Sequence, residues 1–260
     1  MNVLSPYQVA SIRIISAGLV LLPFAAKAMR NIAKEKRGVV VLSGLLGSFF
    51  PAYLFCIAET KIDSALAGIM NALTPLFVII TGISFFQLQV KKLQLIGIIV
   101  GFIGLSLLVA AGSNISLEYF SYSLLVLLAT LFYGINVNMV GKHMQGIGSL
   151  EIASMAFVFL LIPCSIILYF TGYFALPLTE DAYLLSTGAS AVLGIFGTAV
   201  ASVLFYMLVK RAGALFASMV TYGIPFVAIG WGIWGGEQVN LIQVTCCGII
   251  LVGVYLANKK

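Results

Sequence analysis

Long apolar runs separated by short polar linkers dominate the chain. A helix needs about 20 mostly apolar residues to cross a bilayer, and nine segments reach that length. Strands of a membrane β-barrel are about 10 residues long and alternate in polarity, so the runs are typical of helices instead. The pattern predicts an all-α, polytopic transmembrane helical bundle with spans at 10–29, 38–58, 65–86, 93–112, 120–141, 151–170, 185–209, 213–235 and 240–257.

Composition agrees with a membrane location. Hydrophobic residues make up 62% of the 260 positions and charged residues only 8%, and the mean hydropathy is +1.13. Soluble domains carry about 25% charged residues, so a soluble chain of this composition could not cover its surface. The four cysteines lie inside apolar runs without metal-ligand spacing, and we expect neither a metal site nor a cofactor.

The basic residues set the predicted orientation. Twelve of the 14 Lys and Arg residues fall in alternate loops, and only Arg13 and Lys61 fall on the other side. Cytoplasmic loops carry the excess of basic residues, so we expect a cytoplasmic C-terminus and a location in a bacterial inner membrane. Because the net charge of +6 is spread over short loops, the expected partners are the lipid bilayer and a small-molecule substrate, and not a nucleic acid.

Two parts of the chain resemble each other at a shift of 150 residues. The segment from Gly44 to Ser48 matches the segment from Gly194 to Thr198, and Pro75 matches Pro225. In the predicted topology the matching residues Lys61 and Arg211 lie on opposite sides of the membrane. The pattern therefore predicts two inverted repeats, residues 1–113 and 114–260, an architecture that recurs in secondary transporters.

The predicted repeats differ by one helix. The second contains five helices and the first contains four, and the sequence around Ser5 resembles the sequence around Gly148, which follows the predicted helix 120–141. We expect the first repeat to lack the equivalent helix, because the chain begins at an internal methionine or has been trimmed. A natural nine-helix form is the alternative.

Taken in order, the motifs resemble the EamA-type branch of the drug/metabolite transporter superfamily. The residues that carry the resemblance are Leu4–Pro6 with Ala10–Arg13, Asp63–Phe77, Gln94–Gly104, and their second-half counterparts through Pro225 and Glu237. The resemblance implies ten helices in two inverted repeats and transport of metabolites, often amino acids or their relatives, usually outward. This chain has Gln87 where the family commonly has Glu.

Prolines inside two predicted spans mark the strongest candidates for a binding site. Proline has no N–H, so Pro75 and Pro225 leave the carbonyls of Asn71 and Thr221 without their helical partners. Such groups are tolerated at membrane depth only against protein or a wet cavity. We expect these two faces to line a central cavity, the alternative being that the prolines only kink their helices. The predicted lining residues are Asn71, Thr74 and Pro75 on one helix and Ser218, Thr221, Tyr222 and Pro225 on the other.

Five further polar residues are candidates for the same cavity. Arg13 lies inside the first span, where it is predicted to neutralise an anionic substrate group or a helix end, or else to reach the headgroups. The other four, Ser48, Tyr133, Asn136 and Thr198, are predicted either to touch substrate or to bond neighbouring helices. Glu59 ends a span and is expected to be a solvated or packing charge.

Together these features predict a transporter that exports small amino-acid-like or other polar or amphipathic metabolites by alternating access. A passive channel is the alternative. An intramembrane enzyme is less favoured, since the two aspartates, Asp63 and Asp181, are predicted in outer loops and the chain has a single histidine. We therefore expect no catalytic residues. The sequence indicates neither a coupling ion nor an oligomeric state.

Overall fold

The protein is a bundle of apolar helices. The structure, a computed structural model, describes residues 3–62, 64–110, 120–224, 226–227, 230, 234 and 241–258. Across these ranges the chain forms helices and turns and no strand. The α-helices are α1 (Pro6–Asn31), α2 (Lys34–Gly44), α3 (Phe50–Ala58), α4 (Ser64–Asn71), α5 (Thr74–Phe86), α6 (Lys92–Ala110), α7 (Phe120–His143), α8 (Ser149–Phe170), α9 (Asp181–Val192), α10 (Ala201–Ala212), α11 (Ala214–Ser218) and α12 (Leu241–Asn258).

Shorter helical turns connect some of these elements. Two are π-helical: Leu45–Phe49 joins α2 to α3, and Leu193–Val200 joins α9 to α10. In a π-helical turn the backbone hydrogen bonds skip one residue more than in an α-helix, and such turns are frequent at functional sites. Two 3₁₀ segments occur, at Tyr173–Ala175 and at Met219–Gly223.

Five helical segments in the described part of the chain are long and apolar enough to cross a membrane. They are Pro6–Asn31, Lys34–Ala58, Ser121–His143, Ser149–Phe170 and Asp181–Ala212. Four shorter apolar segments accompany them: Thr74–Phe86, Lys92–Leu108, Ala214–Gly223 and Val244–Ala257. Each of these nine segments overlaps one of the nine predicted spans, although Thr74–Phe86 and Ala214–Gly223 cover only parts of 65–86 and 213–235. The prediction of an all-α polytopic bundle is confirmed.

Helices α1 and α8 begin in the same way. At the start of α1 the Gln8 amide donates to the Ser5 hydroxyl at 3.3 Å, and the Ser5 amide donates to the Gln8 side chain at 2.9 Å. At the start of α8 the Gly148 amide donates to the Glu151 carboxylate at 3.0 Å. Side chains thus satisfy N–H groups that have no partner inside the helix. The resemblance around Ser5 and Gly148 therefore reflects equivalent helix starts.

These equivalent helices pack against each other in opposite directions. The Gln8 side chain at the start of α1 donates to the Thr171 carbonyl at the end of α8, at 3.0 Å. At the other end, the Asn31 side chain donates through Nδ2 to the Glu151 carboxylate at 2.5 Å. A hydrogen bond therefore joins the two helices at each end of the pair, and it involves the third residue of α1 at one end and the third residue of α8 at the other.

A second antiparallel pair consists of α6 and α12. A Cβ atom added at Gly97 would lie 2.6 Å from the Gly253 carbonyl oxygen, and one at Gly104 would lie 2.9 Å from the Ile250 amide. Real Cβ atoms essentially never come so close to backbone atoms. Glycine is therefore required for the two backbones to touch, in agreement with the packing role of small residues in membrane helices.

Candidate functional site

Glycines bring both π-helical turns against the α1–α8 pair. Gly194, in the second turn, faces the backbone of Arg13 on α1 so closely that an added Cβ would overlap the Arg13 carbonyl oxygen. Gly44, just before the first turn, faces Ala156 on α8, and an added Cβ would lie 2.9 Å from the Ala156 Cβ. Gly44 and Gly194 are the residues that match at a shift of 150, so the two halves make equivalent contacts.

The helix around Pro75 is broken, and its carbonyl at the break is satisfied locally. Helix α4 ends at Asn71 and α5 begins at Thr74, with Pro75 in the first turn of α5, where a missing N–H costs no helical bond. The Thr74 hydroxyl donates to the Asn71 carbonyl at 2.6 Å. The predicted interruption is therefore a short gap at Ala72 and Leu73 instead of a kink within one helix.

The equivalent region of the second half is also interrupted. Helix α11 ends at Ser218, and the 3₁₀ segment Met219–Gly223 follows it directly. The Thr221 hydroxyl donates to the Ser218 carbonyl at 3.0 Å, and the Ile224 amide bonds to the Thr221 carbonyl. Pro225 lies outside the described residues, so its position relative to the cavity stays a prediction.

Two adjoining cavities lie between these interrupted elements. One, the Arg13 cavity, has a volume of about 400 Å³, and the other, the Thr221 cavity, has a volume of about 510 Å³. Both are within the size range of small-molecule sites. They adjoin because four residues line both of them: Gly47, Asn71, Tyr133 and Ser202.

Charged groups line the Arg13 cavity. Arg13 is half-buried, and its Nε is buried without a hydrogen-bond partner. Its guanidinium interacts with Glu59, which is exposed at the rim of the cavity, and with the Cys56 thiol. Partial burial raises the pKa of Glu59 above its usual range, and the neighbouring Arg13 acts in the opposite direction. The remaining lining residues are Val9, Ile14, Ser48, Ala52, Phe55, Leu193, Gly197 and Thr198, together with the four shared ones.

The Thr221 cavity is more apolar, and none of the lining residues that the structure describes carries a charged side chain. Its polar groups come from Thr74, Asn136, Tyr206, Ser218 and Thr221, in addition to the shared Asn71, Tyr133 and Ser202. Its apolar walls are Val137, Ala201, Leu204, Phe205, Leu208 and Val220. A ligand spanning both cavities would therefore meet charges at one end and mainly apolar walls at the other.

Buried hydrogen bonds join helix α7, which carries the lining residues Tyr133 and Asn136, to α2 and α5. Asn136 accepts a bond from the Ser43 hydroxyl of α2. Two residues further along α7, the Asn138 side chain donates to the Val78 carbonyl at 2.8 Å and to the Thr81 hydroxyl at 3.0 Å. Because both partners of each bond are buried, α7 is fixed against α2 and α5, and Tyr133 and Asn136 are held in place.

The cavities bring together most of the predicted site residues. Those that line one or both cavities are Arg13, Ser48, Asn71, Thr74, Tyr133, Asn136, Thr198, Ser218 and Thr221. Pro75 is buried and is not among the lining residues. Contact of any of these residues with a substrate stays a prediction.

Tyr222 lies elsewhere, and backbone geometry explains the difference. Its side chain is fully buried, and its hydroxyl donates to the Ile98 carbonyl of α6 at 2.9 Å. The prediction that Tyr222 shares a face with Ser218 and Thr221 assumes α-helical spacing. In a 3₁₀ helix with three residues per turn, residues three apart align, so Ser218 and Thr221 share a face and Tyr222 points away from it.

Glu59, Cys56 and Ser202 line the cavities although they were not among the predicted site residues. Glu59 ends the second span, and a position in the sequence does not reveal which way such a side chain faces. From the sequence alone, Cys56 is interpreted as a small apolar packing residue. Ser202 matches Ala52, which lines the Arg13 cavity, so the shift of 150 was a signal for it. In the described part of the chain no group of three or more His, Cys, Asp or Glu side chains is placed to hold a metal ion.

The bundle and its internal cavities define an integral, multi-pass membrane protein built around a solute-sized space. The sequence profile of the EamA-like transporter family matches residues 1–110 and, separately, residues 120–259. The chain therefore belongs to the EamA-like transporter family and is a membrane transporter.

Individual relatives agree with this assignment. A protein of Archaeoglobus fulgidus named uncharacterized transporter is 26% identical over 259 residues, which covers 99% of this chain and 90% of the relative. The uncharacterized inner membrane transporter YedA of Escherichia coli K12 is 24% identical over 260 residues, covering 97% and 81%. One crystal structure has a TM-score of 0.74 at 15% identity and covers 98% of this chain and 88% of that one, a likeness of fold.

Proposed function

We propose that this transporter exports small polar or amphipathic metabolites, amino-acid-like solutes among them, by alternating access around the two adjoining cavities. The observation that carries the proposal is the composition of the cavity walls. Each half contributes a π-helical turn and an interrupted helix at matching positions, as with Ser48 and Thr198, or Asn71 and Thr221. A cavity walled by equivalent, oppositely directed elements offers two related exits.

The two repeats, 1–113 and 114–260, are proposed as the units of this architecture. Antiparallel packing of the equivalent helices α1 and α8 supports an inverted relation between them. Inverted repeats allow one conformation of the first half to be adopted by the second, which opens the cavity to the other side. Excess Lys and Arg at the ends of α1 and α10 supports a cytoplasmic location for those ends and for the C-terminus, in a bacterial inner membrane.

A reconstituted system tests transport directly. Purified protein in proteoliposomes is offered a panel of labelled metabolites, and uptake is measured with and without unlabelled solute inside. A carrier gives saturable uptake that is accelerated by internal solute, because the loaded cavity returns faster than the empty one. Linear, unsaturated flux would favour a pore, and the absence of flux for every solute would contradict the proposal.

Two variants locate the transport path. Asn71→Ala and Thr221→Ala each remove a polar lining group, and each is expected to raise the half-saturating solute concentration by about fivefold or more, as loss of a hydrogen bond does. Thr245→Ala is the matched control, because the exposed Thr245 hydroxyl makes the same kind of intrahelical bond, to Leu241 at 2.9 Å, on α12. If all three variants transport equally, the cavities are not the path.

A further inference from the structure

We propose that Arg13 and Glu59 form a paired-charge subsite that binds the carboxylate and the ammonium group of a zwitterionic, α-amino-acid-like solute. The inference rests on the proposed transport function and names the class of solute for that same cavity. Its basis is the presence of one cation and one anion on the wall of a cavity whose other lining groups, among the described residues, are uncharged.

Arg13 is positioned to receive an anionic group. It projects from the first turns of α1, and the close approach of Gly194 fixes the backbone beneath it. Its Nε is buried and has no hydrogen-bond partner, although buried polar groups are normally paired. A guanidinium binds carboxylates through two parallel hydrogen bonds, one of which uses Nε in the side-on geometry. A substrate carboxylate would satisfy this donor.

Glu59 supplies the opposite charge at the same end of the cavity. It follows α3 directly and lies at the rim, where it interacts with Arg13. An ammonium group beside Glu59 and a carboxylate beside Arg13 would leave no net charge added to the site. A plain anion or a plain cation would satisfy one residue and be repelled by the other, and such like-charge contacts are a strong source of discrimination.

The adjoining Thr221 cavity defines the rest of the solute. Its walls include Leu204, Phe205 and Leu208, and the shared residues Asn71 and Tyr133 lead into it from the Arg13 cavity. An apolar substituent about the size of a leucine side chain would be transferred from water into contact with these walls. The geometry thus favours zwitterions with an apolar side chain over those with a charged one.

Three related probes test the charge requirement. L-Leucine is a zwitterion, N-acetyl-L-leucine keeps only the carboxylate, and L-leucinamide keeps only the amine. Binding to purified protein is measured by titration calorimetry at pH 7, and inhibition of transport is measured in proteoliposomes. Wild-type protein is expected to bind L-leucine about tenfold more tightly than either blocked analogue.

Variants that remove one of the two charges should change which of the three probes binds most tightly. Glu59→Gln is expected to bring N-acetyl-L-leucine level with L-leucine or ahead of it, and Arg13→Gln to do the same for L-leucinamide. Arg30→Gln and Glu35→Gln remove the same charges from exposed positions at the opposite ends of their spans, and both should keep the wild-type order. Loss of stability alone would weaken all three probes together and would not reverse their order.

The outcomes separate this inference from the transport proposal. Charge-dependent binding of L-leucine without flux of any solute supports the subsite and contradicts transport. Saturable flux of other solutes, with no binding of L-leucine or with equal binding of all three probes, overturns the subsite and leaves transport standing. An unchanged probe order in Arg13→Gln and Glu59→Gln also overturns it.

Discussion

Helices α6 and α12 touch along their backbones at Gly97, and replacing this glycine tests whether the contact stabilises the fold. A Cβ atom at Gly97 would lie 2.6 Å from the Gly253 carbonyl oxygen and 2.9 Å from the Ala257 Cα, and closer still to the Ala257 amide nitrogen. All three obstacles are backbone atoms of α12. Rotation of a side chain cannot relieve the overlap, so in Gly97→Ala the two helices must separate.

The expected loss can be worked from two opposing terms. Overpacking of a well-packed interior costs about 1–3 kcal/mol, and backbone obstacles place Gly97→Ala near the upper end, at about 3 kcal/mol. Alanine is a better helix former than glycine by about 1 kcal/mol, which leaves a net loss of about 2 kcal/mol. At about 2–4 °C for each kcal/mol, the unfolding temperature should fall by about 4–8 °C.

Thermal unfolding of purified protein in a single detergent measures this shift. Gly248→Ala is the matched control, because Gly248 lies on α12, the helix that Gly97 packs against, with nothing within 4 Å of an added Cβ. It should unfold at the wild-type temperature or slightly above it, since only the helix-propensity term remains. The reasoning fails if Gly97→Ala unfolds with the wild type, or if both variants lose the same stability.

Three further predictions concern single side chains. Asn138→Ala removes the buried bonds from α7 to α5 and should cost about 1–3 kcal/mol in thermal unfolding, whereas the exposed Gln145→Ala should cost little. Tyr222→Phe removes the bond to the Ile98 carbonyl and should lower the unfolding temperature while the half-saturating solute concentration stays unchanged, because Tyr222 is buried away from the cavities. Zwitterion binding should weaken as pH falls through the raised pKa of Glu59, starting above the usual value of about 4.3, since protonation removes the charge that faces the ammonium group. A binding constant independent of pH in wild type, or the same pH dependence in Glu59→Gln, would contradict this last prediction.

The number and placement of the spans could be predicted because one strong force sets them. A run such as 151–170 must be helical in lipid to satisfy its backbone, and the observed helix, Ser149–Phe170, differs by two residues at its start. The repeat at a shift of 150 residues could also be recognised from the sequence, since matching glycines and prolines occur in the same order in both halves. Both signals depend on residue type alone.

Backbone irregularities escaped prediction because tertiary contacts create them. The glycines at Gly44 and Gly194 indicated close packing, which the structure contains, but no local signal indicated that π-helical turns would begin beside them. A π turn inserts one residue into the helical ladder without a characteristic sequence. The 3₁₀ segment Met219–Gly223 likewise had no local signal in the sequence, and it turns Tyr222 away from the predicted face.

Some positions of the site carry similar residues in the two halves of the chain, whereas others differ between the halves. Matching positions such as Ser48 and Thr198 keep hydroxyl groups on the cavity wall in both halves. Arg13 instead corresponds to Ala156 on the equivalent helix α8, and Glu59 corresponds to Val209 on α10. Both charges of the Arg13 cavity therefore belong to the first half and have no counterpart in the second. Under the proposed alternating access, a repeated framework would let such a cavity open towards either side, whereas the unpaired positions would make its two ends chemically different. A solute that needs both charges would then be held at one end only, and the asymmetry of binding would come from Arg13 and Glu59 and not from the fold.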